Sequence, residues 1–341
     1  METTGSEISL QSIFLKNKRL ALSKRLYILL FFITGLSFSS CRKDSVTFST
    51  YPASVDDLRG IFTQLPGSDK VTAFTLVPGG QPIPDTVLTT PSGVRVFLAL
   101  TEALFANPTG ELRPCSSCST FKVVVTEASS KSDWVAHQLP AIDQDGRLLN
   151  HTPAVKVAVY CDGNALELAT NRYIKVQVPI NKLVNQLELA TLGSNPAAWQ
   201  QGPSGSLFWA DWTPAGSSEQ LSGYELLMPA LGWAAGVRPL DANGYSSYCI
   251  SLPLQFDPGN TVAYLSFGGV PTLVEMQPTV EGYFCAQNVP LGYPVKILTV
   301  TKAGKSYWIG FRETETATNA LLQVTPEERG QQDVISSILS L

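Results

Sequence analysis

Few residues in this sequence combine the types and the spacing that catalysis requires. Asp133 and His137 are four positions apart, so a helix would bring the carboxylate close enough to orient the imidazole as a general base. No nucleophile motif accompanies this pair, because the nearest serine segment, residues 202–205 (GPSG), lacks the G-x-S-x-G pattern of a nucleophile elbow. We therefore predict a turn between strands with a solvated His137. A hydrolase built around His137 is the alternative.

Metal ligands are also sparse. Asp143 and Asp145 resemble the start of a calcium loop, but the later ligands and the distal glutamate are missing, so a plain turn is predicted. The two histidines, His137 and His151, do not have the spacing to a C-x-x-C pair that a tetrahedral zinc site requires. We expect no metal and no cofactor.

Five of the six cysteines lie beyond the N-terminal region, and an odd number leaves at least one thiol outside any intramolecular disulfide. Cys115 and Cys118 form a C-x-x-C pair without the following helix that would lower a thiol pKa. This predicts a local disulfide or two unpaired thiols rather than a redox site. Cys249 and Cys285 lie on neighbouring predicted strands, so we expect a disulfide between them. Cys161 is expected to be an isolated core thiol.

Aromatic residues are the remaining functional candidates. Five of them fall within 35 positions: Trp199, Trp209, Trp212, Tyr224 and Trp233. Exposed rings can stack on sugars or anchor a protein partner, although most tryptophans are largely buried. Trp209 and Trp212 are three positions apart, so on a regular strand they face opposite sides and one of them is expected to be exposed. Trp209, Trp212 and Trp233 are thus the candidates for contact with a protein or glycan ligand.

The N-terminal region has the pattern of an export signal. Five basic residues precede a short apolar run, residues 26–38, and the small residues Ser39 and Ser40 lead into Cys41. The segment FSSC resembles a relaxed bacterial lipobox, which predicts that residues 1–40 are removed and that Cys41 becomes the lipid-bearing first residue. An ordinary secretory signal cleaved near the same place is the alternative. A lipid on Cys41 would make the membrane a partner of the chain.

Charge argues against a nucleic-acid partner. Residues 1–40 hold five of the 24 Lys and Arg residues and two of the 28 Asp and Glu residues, so the remainder has 19 against 26. Nucleic-acid affinity depends on cationic contacts to phosphate, which an acidic chain of this kind does not offer.

Most of the remaining sequence consists of short apolar or alternating segments bounded by Gly, Pro or Ser, which is typical of an all-β protein. We predict two antiparallel β-sandwich-like domains with a short C-terminal helix that opens at the capping pattern of residues 325–328. The predicted boundaries are a signal peptide at 1–40, a linker with a short helix at 41–70, a first domain at 71–213 and a second at 223–341.

Several segments resemble a family of secreted Bacteroidota lipoproteins of unassigned function. They are residues 85–112, 121–149, 155–168 and 174–179, followed by GSLFWADW at 205–212 and LGWAAG at 231–236. The chain departs from the family pattern at 151–154 and 234–236, where polar groups are replaced. The resemblance implies a ZU5-like β-sandwich for residues 71–213 and a lipid-anchored location at the outer membrane, on its periplasmic or surface-exposed face.

The resemblance also brings a modification and a role into view. Ser45 and Thr86 each follow an aspartate and precede a valine, which matches the O-glycosylation acceptor pattern of exported proteins in that bacterial group. We expect a non-catalytic binding or structural role in the cell envelope. A glycan- or peptide-directed hydrolase is the alternative.

Overall fold

Strands dominate the molecule, as the sequence predicts. The computed structural model describes residues 55–341 except 80, 82, 102–103, 194–196, 204 and 215–217. Within that range the three α-helices are α1 (Val55–Phe62), α2 (Lys131–Ala136) and α3 (Gln331–Leu339), and 3₁₀ turns occupy Pro66–Asp69 and Cys115–Ser117. The prediction of an all-β fold with a short C-terminal helix is confirmed.

The first fourteen strands build one β-sandwich. They are β1 (Val71–Leu76), β2 (Thr86–Thr89), β3 (Arg95–Leu98), β4 (Phe105–Ala106), β5 (Phe121–Ala128), β6 (Leu149–His151), β7 (Ala154–Cys161), β8 (Asn164–Leu168), β9 (Ile174–Pro179), β10 (Glu188–Thr191), β11 (Gln200–Gln201), β12 (Leu207–Trp212), β13 (Leu221–Met228) and β14 (Gly232–Pro239). One sheet has the order β1-β5-β7-β14-β10-β11 with β4, β6 and β8 beside this path, and the other has the order β12-β13-β9-β3-β2. Alternate residues of the two sheets, such as Val123 and Val157 with Val176 and Leu226, meet in a shared apolar core.

The last nine strands build a second sandwich. They are β15 (Tyr245–Ser251), β16 (Thr261–Phe267), β17 (Leu273–Glu275), β18 (Gln277–Pro278), β19 (Phe284–Pro290), β20 (Pro294–Ala303), β21 (Ser306–Glu315), β22 (Ala320–Gln323) and β23 (Glu327–Arg329). The sheet orders are β18-β19-β15-β22 and β17-β16-β20-β21-β23. Ile250 and Phe284 pack against Leu265 and Ile297 between these sheets.

Two helices cover the sheet that contains β16 and β20. Leu58 and Phe62 of α1, with Val334 and Ile338 of α3, form a buried cluster with Tyr264 of β16. The C-terminal helix begins later than the capping pattern at 325–328 predicts, because residues 327–329 instead form β23 and extend the edge of β21. The helix starts after Gly330, whose backbone N–H donates to the Asp333 carboxylate.

The change from the first sandwich to the second lies later in the chain than the predicted connector at 214–222. β12 pairs with β13, β13 pairs with β9, and β14 pairs with β7, so all three belong to the first sandwich. The sheets therefore change after Pro239, because strand pairing depends on distant segments that the local composition does not reveal.

The two sandwiches belong to one compact unit. The segment from α2 to β6 contacts both of them. Lys131 Nζ donates to Ser266 Oγ at 2.8 Å and to the Phe267 carbonyl at 2.6 Å, and Thr272 Oγ1 donates to the Leu149 carbonyl at 2.8 Å. These contacts bring the loop between β16 and β17 against the first sandwich.

Candidate functional site

A cleft of about 1010 Å³ lies between the first sandwich and the loop that joins β16 to β17. Its walls come from four segments that are distant in sequence: residues 150–153, 179–182, 219–222 and 269–271. Trp209 of β12 also lines it. A cleft of this size has room for a small ligand on its surface.

Trp209 is the exposed aromatic residue of this cleft. It lies opposite Tyr224 in the pairing of β12 with β13, and the two rings meet edge to face with centroids 5.1 Å apart. The Tyr224 hydroxyl donates to the Val184 carbonyl at 2.6 Å and accepts from the Val184 N–H at 2.8 Å. Trp209 is 38% exposed, so the cleft contains a partly exposed indole that rests on a fixed neighbour.

The other two tryptophan candidates are less available. Trp212 is 7% exposed, and its Cη2 would lie only 2.8 Å from a Cβ at Gly223, so the ring lies close over this glycine. The prediction of Trp212 as a binding residue is therefore wrong, because the absent Gly223 side chain gives its ring a buried position. Trp233 is half-buried with its ring centroid 5.1 Å from that of His137. Of the pair Trp209 and Trp212, one is exposed, as strand alternation predicts.

The segment around His137 is helical and not the predicted turn. Ser130 Oγ accepts from the Asp133 N–H at the start of α2, and the Asp133 carboxylate accepts from Lys70 Nζ at 2.7 Å and from the backbone N–H groups of Ser129 and Ser130. Burial would raise the pKa of Asp133, but these hydrogen bonds outweigh it and the pKa is lowered. The carboxylate thus anchors the start of the helix.

His137 is half-buried and not the solvated residue that the sequence predicts. Its Nε2 lies 3.1 Å from the Gly67 carbonyl, and burial lowers the pKa of the imidazole. The Asp133 carboxylate accepts its hydrogen bonds from Lys70, Ser129 and Ser130. The two residues therefore attach α2 to the neighbouring 3₁₀ turn, and this arrangement does not resemble a general-base pair.

Asp143 and Asp145 form the predicted turn. Asp143 Oδ1 accepts from the backbone N–H groups of Asp145 at 3.0 Å and Arg147 at 2.8 Å, and its Oδ2 accepts from Arg147 Nε at 2.7 Å. No group of three His, Cys, Asp or Glu residues within the described ranges is placed to hold a metal ion.

His151 lines the cleft. From the sequence, zinc binding is the only role for which it is a candidate. Its side chain is 5% exposed and stacks on Trp134, with ring centroids 3.5 Å apart. Two backbone carbonyls, which can only accept, face the ring: that of Thr152, 3.0 Å from Nδ1, and that of Pro271. Burial lowers the pKa of His151 to about 3, against the opposing effects of the Thr152 and Pro271 carbonyls. The ring is therefore neutral at pH 7.

The cysteines form two disulfides in the described part of the chain. Cys249 and Cys285 lie directly opposite each other on β15 and β19, with a Cα separation of 4.1 Å, and are bonded as expected. Cys118 is bonded to Cys161, so neither a local C-x-x-C disulfide nor an isolated Cys161 thiol is correct. The reason is that Cys161 ends β7 opposite Phe121, the first residue of β5, which brings it beside Cys118. Cys115 is a buried free thiol, and burial raises its pKa to about 11.

The structure does not test the three predicted modification sites. Cys41 and Ser45 lie outside the described residues, and Thr86 is half-buried on β2, so lipidation and O-glycosylation stay predictions. No helix in the described ranges is both long and apolar enough to cross a membrane.

Comparison of the chain with known protein families, curated proteins and solved structures finds no match.

Proposed function

We propose that this protein is a lipid-anchored component of the cell envelope, attached through Cys41 at the outer membrane, and that it binds a ligand in the cleft beside Trp209 without changing it chemically. The N-terminal pattern ending at Cys41 supports the location. Two disulfides among the described residues are consistent with it, because such bonds persist in oxidising compartments.

The partly exposed Trp209 carries the proposal of binding. Binding energy in protein sites concentrates on a few aromatic residues that are held in place before the ligand arrives. The edge-to-face contact with Tyr224, whose hydroxyl is bonded on both sides to Val184, provides such support. A hydrolase built around His137 is disfavoured because Asp133, the carboxylate that could orient its imidazole, is engaged in anchoring α2.

The test is a calorimetric titration of the full-length chain, purified in detergent. The ligands are neutral oligosaccharides, acidic oligosaccharides and short peptides. Trp209→Ala should weaken the tightest interaction about tenfold or more, which is the usual effect of removing a central binding ring. Its matched control is Phe208→Ala. Phe208 is the preceding residue on the same strand, is 46% exposed and is not among the residues that line the cleft.

The proposal predicts that Phe208→Ala binds as the wild type does and that both variants keep the wild-type melting temperature within about 2 °C. Ligand recovered after incubation should be chemically intact. Wild-type affinity of Trp209→Ala for every ligand would contradict the proposal. Turnover that disappears in His137→Ala would support the hydrolase instead.

A further inference from the structure

We infer that the ligand of the Trp209 cleft is an extended segment of another polypeptide, which adds as a strand to the free edge of β12 with one of its side chains against the Trp209 ring. This inference rests on the proposed function and specifies the ligand class. Two features carry it: the unpaired backbone of β12 and the exposed side chains along that strand.

The strand β12 is a free edge without the usual protection. It is the last strand of its sheet, and its pairing with β13 is continuous over all six residues, Leu207–Trp212, without a bulge. It also lacks the proline and lysine that native proteins use to block addition to an edge. Among the edge strands of the described sheets only β1 is as long, and its exposed large apolar residue is Val71. An aromatic edge of this length is thus found at β12.

The hydrogen bonds of β13 show which side of β12 is unpaired. The Leu227 N–H donates to the Ser206 carbonyl at 2.9 Å, and the Ile180 N–H donates to the Ser222 carbonyl at 2.9 Å. Odd-numbered residues of β13 therefore bond towards β12, and even-numbered residues bond towards β9. The partners of the odd-numbered residues on β12 are 208, 210 and 212.

The unpaired backbone groups belong to Leu207, Trp209 and Asp211. Their N–H and C=O groups point away from β13, and among the described residues these groups have no hydrogen-bond partner. Three donors and three acceptors thus recur at every second residue over about 13 Å. An extended polypeptide presents the same repeat, whereas the hydroxyls of a sugar do not. The edge therefore selects a peptide strand.

Trp209 connects this edge to the cleft. It is the middle residue of the three with unpaired backbone groups, and its side chain lines the cleft. A side chain of the added strand that points to the same face can therefore lie on the partly exposed indole, which the Tyr224 ring supports. The neighbouring side chains of the added strand point to the opposite face, where Phe208 lies outside the cleft.

Asp211 adds a preference for positive charge. It is two positions from Trp209, so the two side chains share a face of the strand. The carboxylate is exposed and forms no ion pair with any described residue. Opposite charges on adjacent strands attract each other, so a lysine or arginine beside Asp211 is favoured. The ligand segment thus carries an apolar residue and, two positions away, a basic residue.

The test uses the outward-pointing N–H of Asp211. Asp211→Pro removes this donor without breaking a bond to β13, because proline is tolerated where an edge N–H faces outwards, whereas Asp211→Ala keeps the donor. Both variants lose the carboxylate, so their difference isolates the backbone. The probes are the peptide acetyl-Thr-Val-Thr-Tyr-Thr-Lys-Thr-amide and its reversed sequence, titrated by calorimetry into the full-length chain in detergent, with neutral oligosaccharides in parallel.

A second pair of probes tests the same point on the ligand. The tighter peptide is methylated either on the amide nitrogen of its tyrosine or on that of the following threonine. An added strand bonds to β12 through alternate residues, so only one of these two nitrogens donates to the edge.

We expect one of the peptides to bind, and Asp211→Pro to bind it at least about tenfold more weakly than Asp211→Ala does. One methylated peptide should lose affinity by about the same factor, while the other keeps it. Equal affinities of the two position-211 variants, or equal losses with the two methylated peptides, would overturn strand addition. The methylated pair decides the question if Asp211→Pro does not fold.

The two proposals fail in different ways. Trp209-dependent binding of an oligosaccharide but of no peptide would overturn the peptide class and leave the proposed function standing. Trp209-dependent binding of a peptide with equal affinities of the two position-211 variants would overturn only strand addition. A dimer in light scattering that Asp211→Pro abolishes would assign the edge to a second copy of the chain and overturn this inference. Binding of neither class would overturn both proposals.

Discussion

Two tryptophans of one strand differ in solvent exposure because of neighbours that are remote in sequence. Trp209 and Trp212 lie on one strand, and alternation alone predicts that they face opposite sides. Which of them is buried depends on Gly223, which β13 brings beside Trp212. The sequence could therefore predict that one ring is exposed, but not which one.

His151 shows the opposite limit of prediction. A lone histidine has no informative spacing, and its chemistry here arises from the Trp134 ring, the Thr152 carbonyl and the Pro271 carbonyl. Pro271 is 120 positions further along the chain, so only the assembled fold brings it beside the imidazole. The environment that buries the imidazole and lowers its pKa could therefore not be predicted from the sequence.

The lowered pKa of His151 makes a prediction about stability in acid. The folded pKa is about 3 and the ordinary value is 6.5, so between these values the unfolded chain binds more protons than the folded one. Stability is therefore full above pH 6.5 and falls as the pH drops towards 3, by up to about 1.4 kcal/mol per pH unit from this group. Urea unfolding from pH 7 to pH 4 measures this slope.

His151→Gln is the control for the acid slope, because it replaces the titrating imidazole with an amide that stays neutral over this pH range. The difference in unfolding free energy between wild type and His151→Gln should shrink or reverse sign as the pH falls from 7 to 4. A difference that stays constant over this range would contradict a buried neutral imidazole.

Among the elements, strands were more predictable than short helices. Residues 154–160 alternate apolar and polar side chains, a pattern that predicts a strand, and the structure has a strand at Ala154–Cys161. The six-residue helix α2 was missed because its length gives almost no periodicity, although Ser130 and Asp133 form its capping box. The strand at Glu327–Arg329 was missed because it exists only through pairing with β21.

The disulfide between β15 and β19 gives a prediction at this scale. Cys249 and Cys285 are separated by 36 positions, and closing a loop of this length stabilises a fold by about 4 kcal/mol in the chain-entropy description. Replacing both by serine should lower the unfolding free energy in urea by roughly this amount. An unchanged unfolding midpoint would contradict this estimate.

Peptide mapping without reduction is the companion measurement for both disulfides. It should recover Cys118 joined to Cys161 and Cys249 joined to Cys285, with Cys115 alkylated only after unfolding. A peptide that joins Cys115 to Cys118 would contradict this pairing and support the local C-x-x-C disulfide.

At the scale of the whole molecule, the cleft depends on segments that the sequence could not bring together. Its walls come from residues between 92 and 271, and part of them belongs to the loop between two strands of the second sandwich. The sequence predicts two sandwich-like bodies but places their boundary one hairpin too early, and no pattern in it predicts the contact between Leu149 and Thr272. A site built between sandwiches becomes visible only when both are folded.

One prediction at this scale concerns the attachment of the chain to the membrane through Cys41. If Cys41 carries lipid, Cys41→Ser should leave unprocessed precursor or release soluble protein, because the acyl chains provide the membrane attachment. The measurement is membrane fractionation with an immunoblot of the precursor and mature masses. Cys115→Ser is the matched control and should remain in the membrane fraction, whereas a Cys41→Ser chain that stays there at its mature mass would refute lipidation.

Hydrogen exchange of the full-length chain with and without its tightest oligosaccharide or peptide tests the central claim most directly. A ligand in the Trp209 cleft should slow the exchange of amides at residues 180–182 and 219–222, which line it. A separate groove lined by Lys296, Phe311 and Arg329 serves as the internal reference and should not change. Slower exchange at that groove, with residues 180–182 and 219–222 unaffected, would contradict the account.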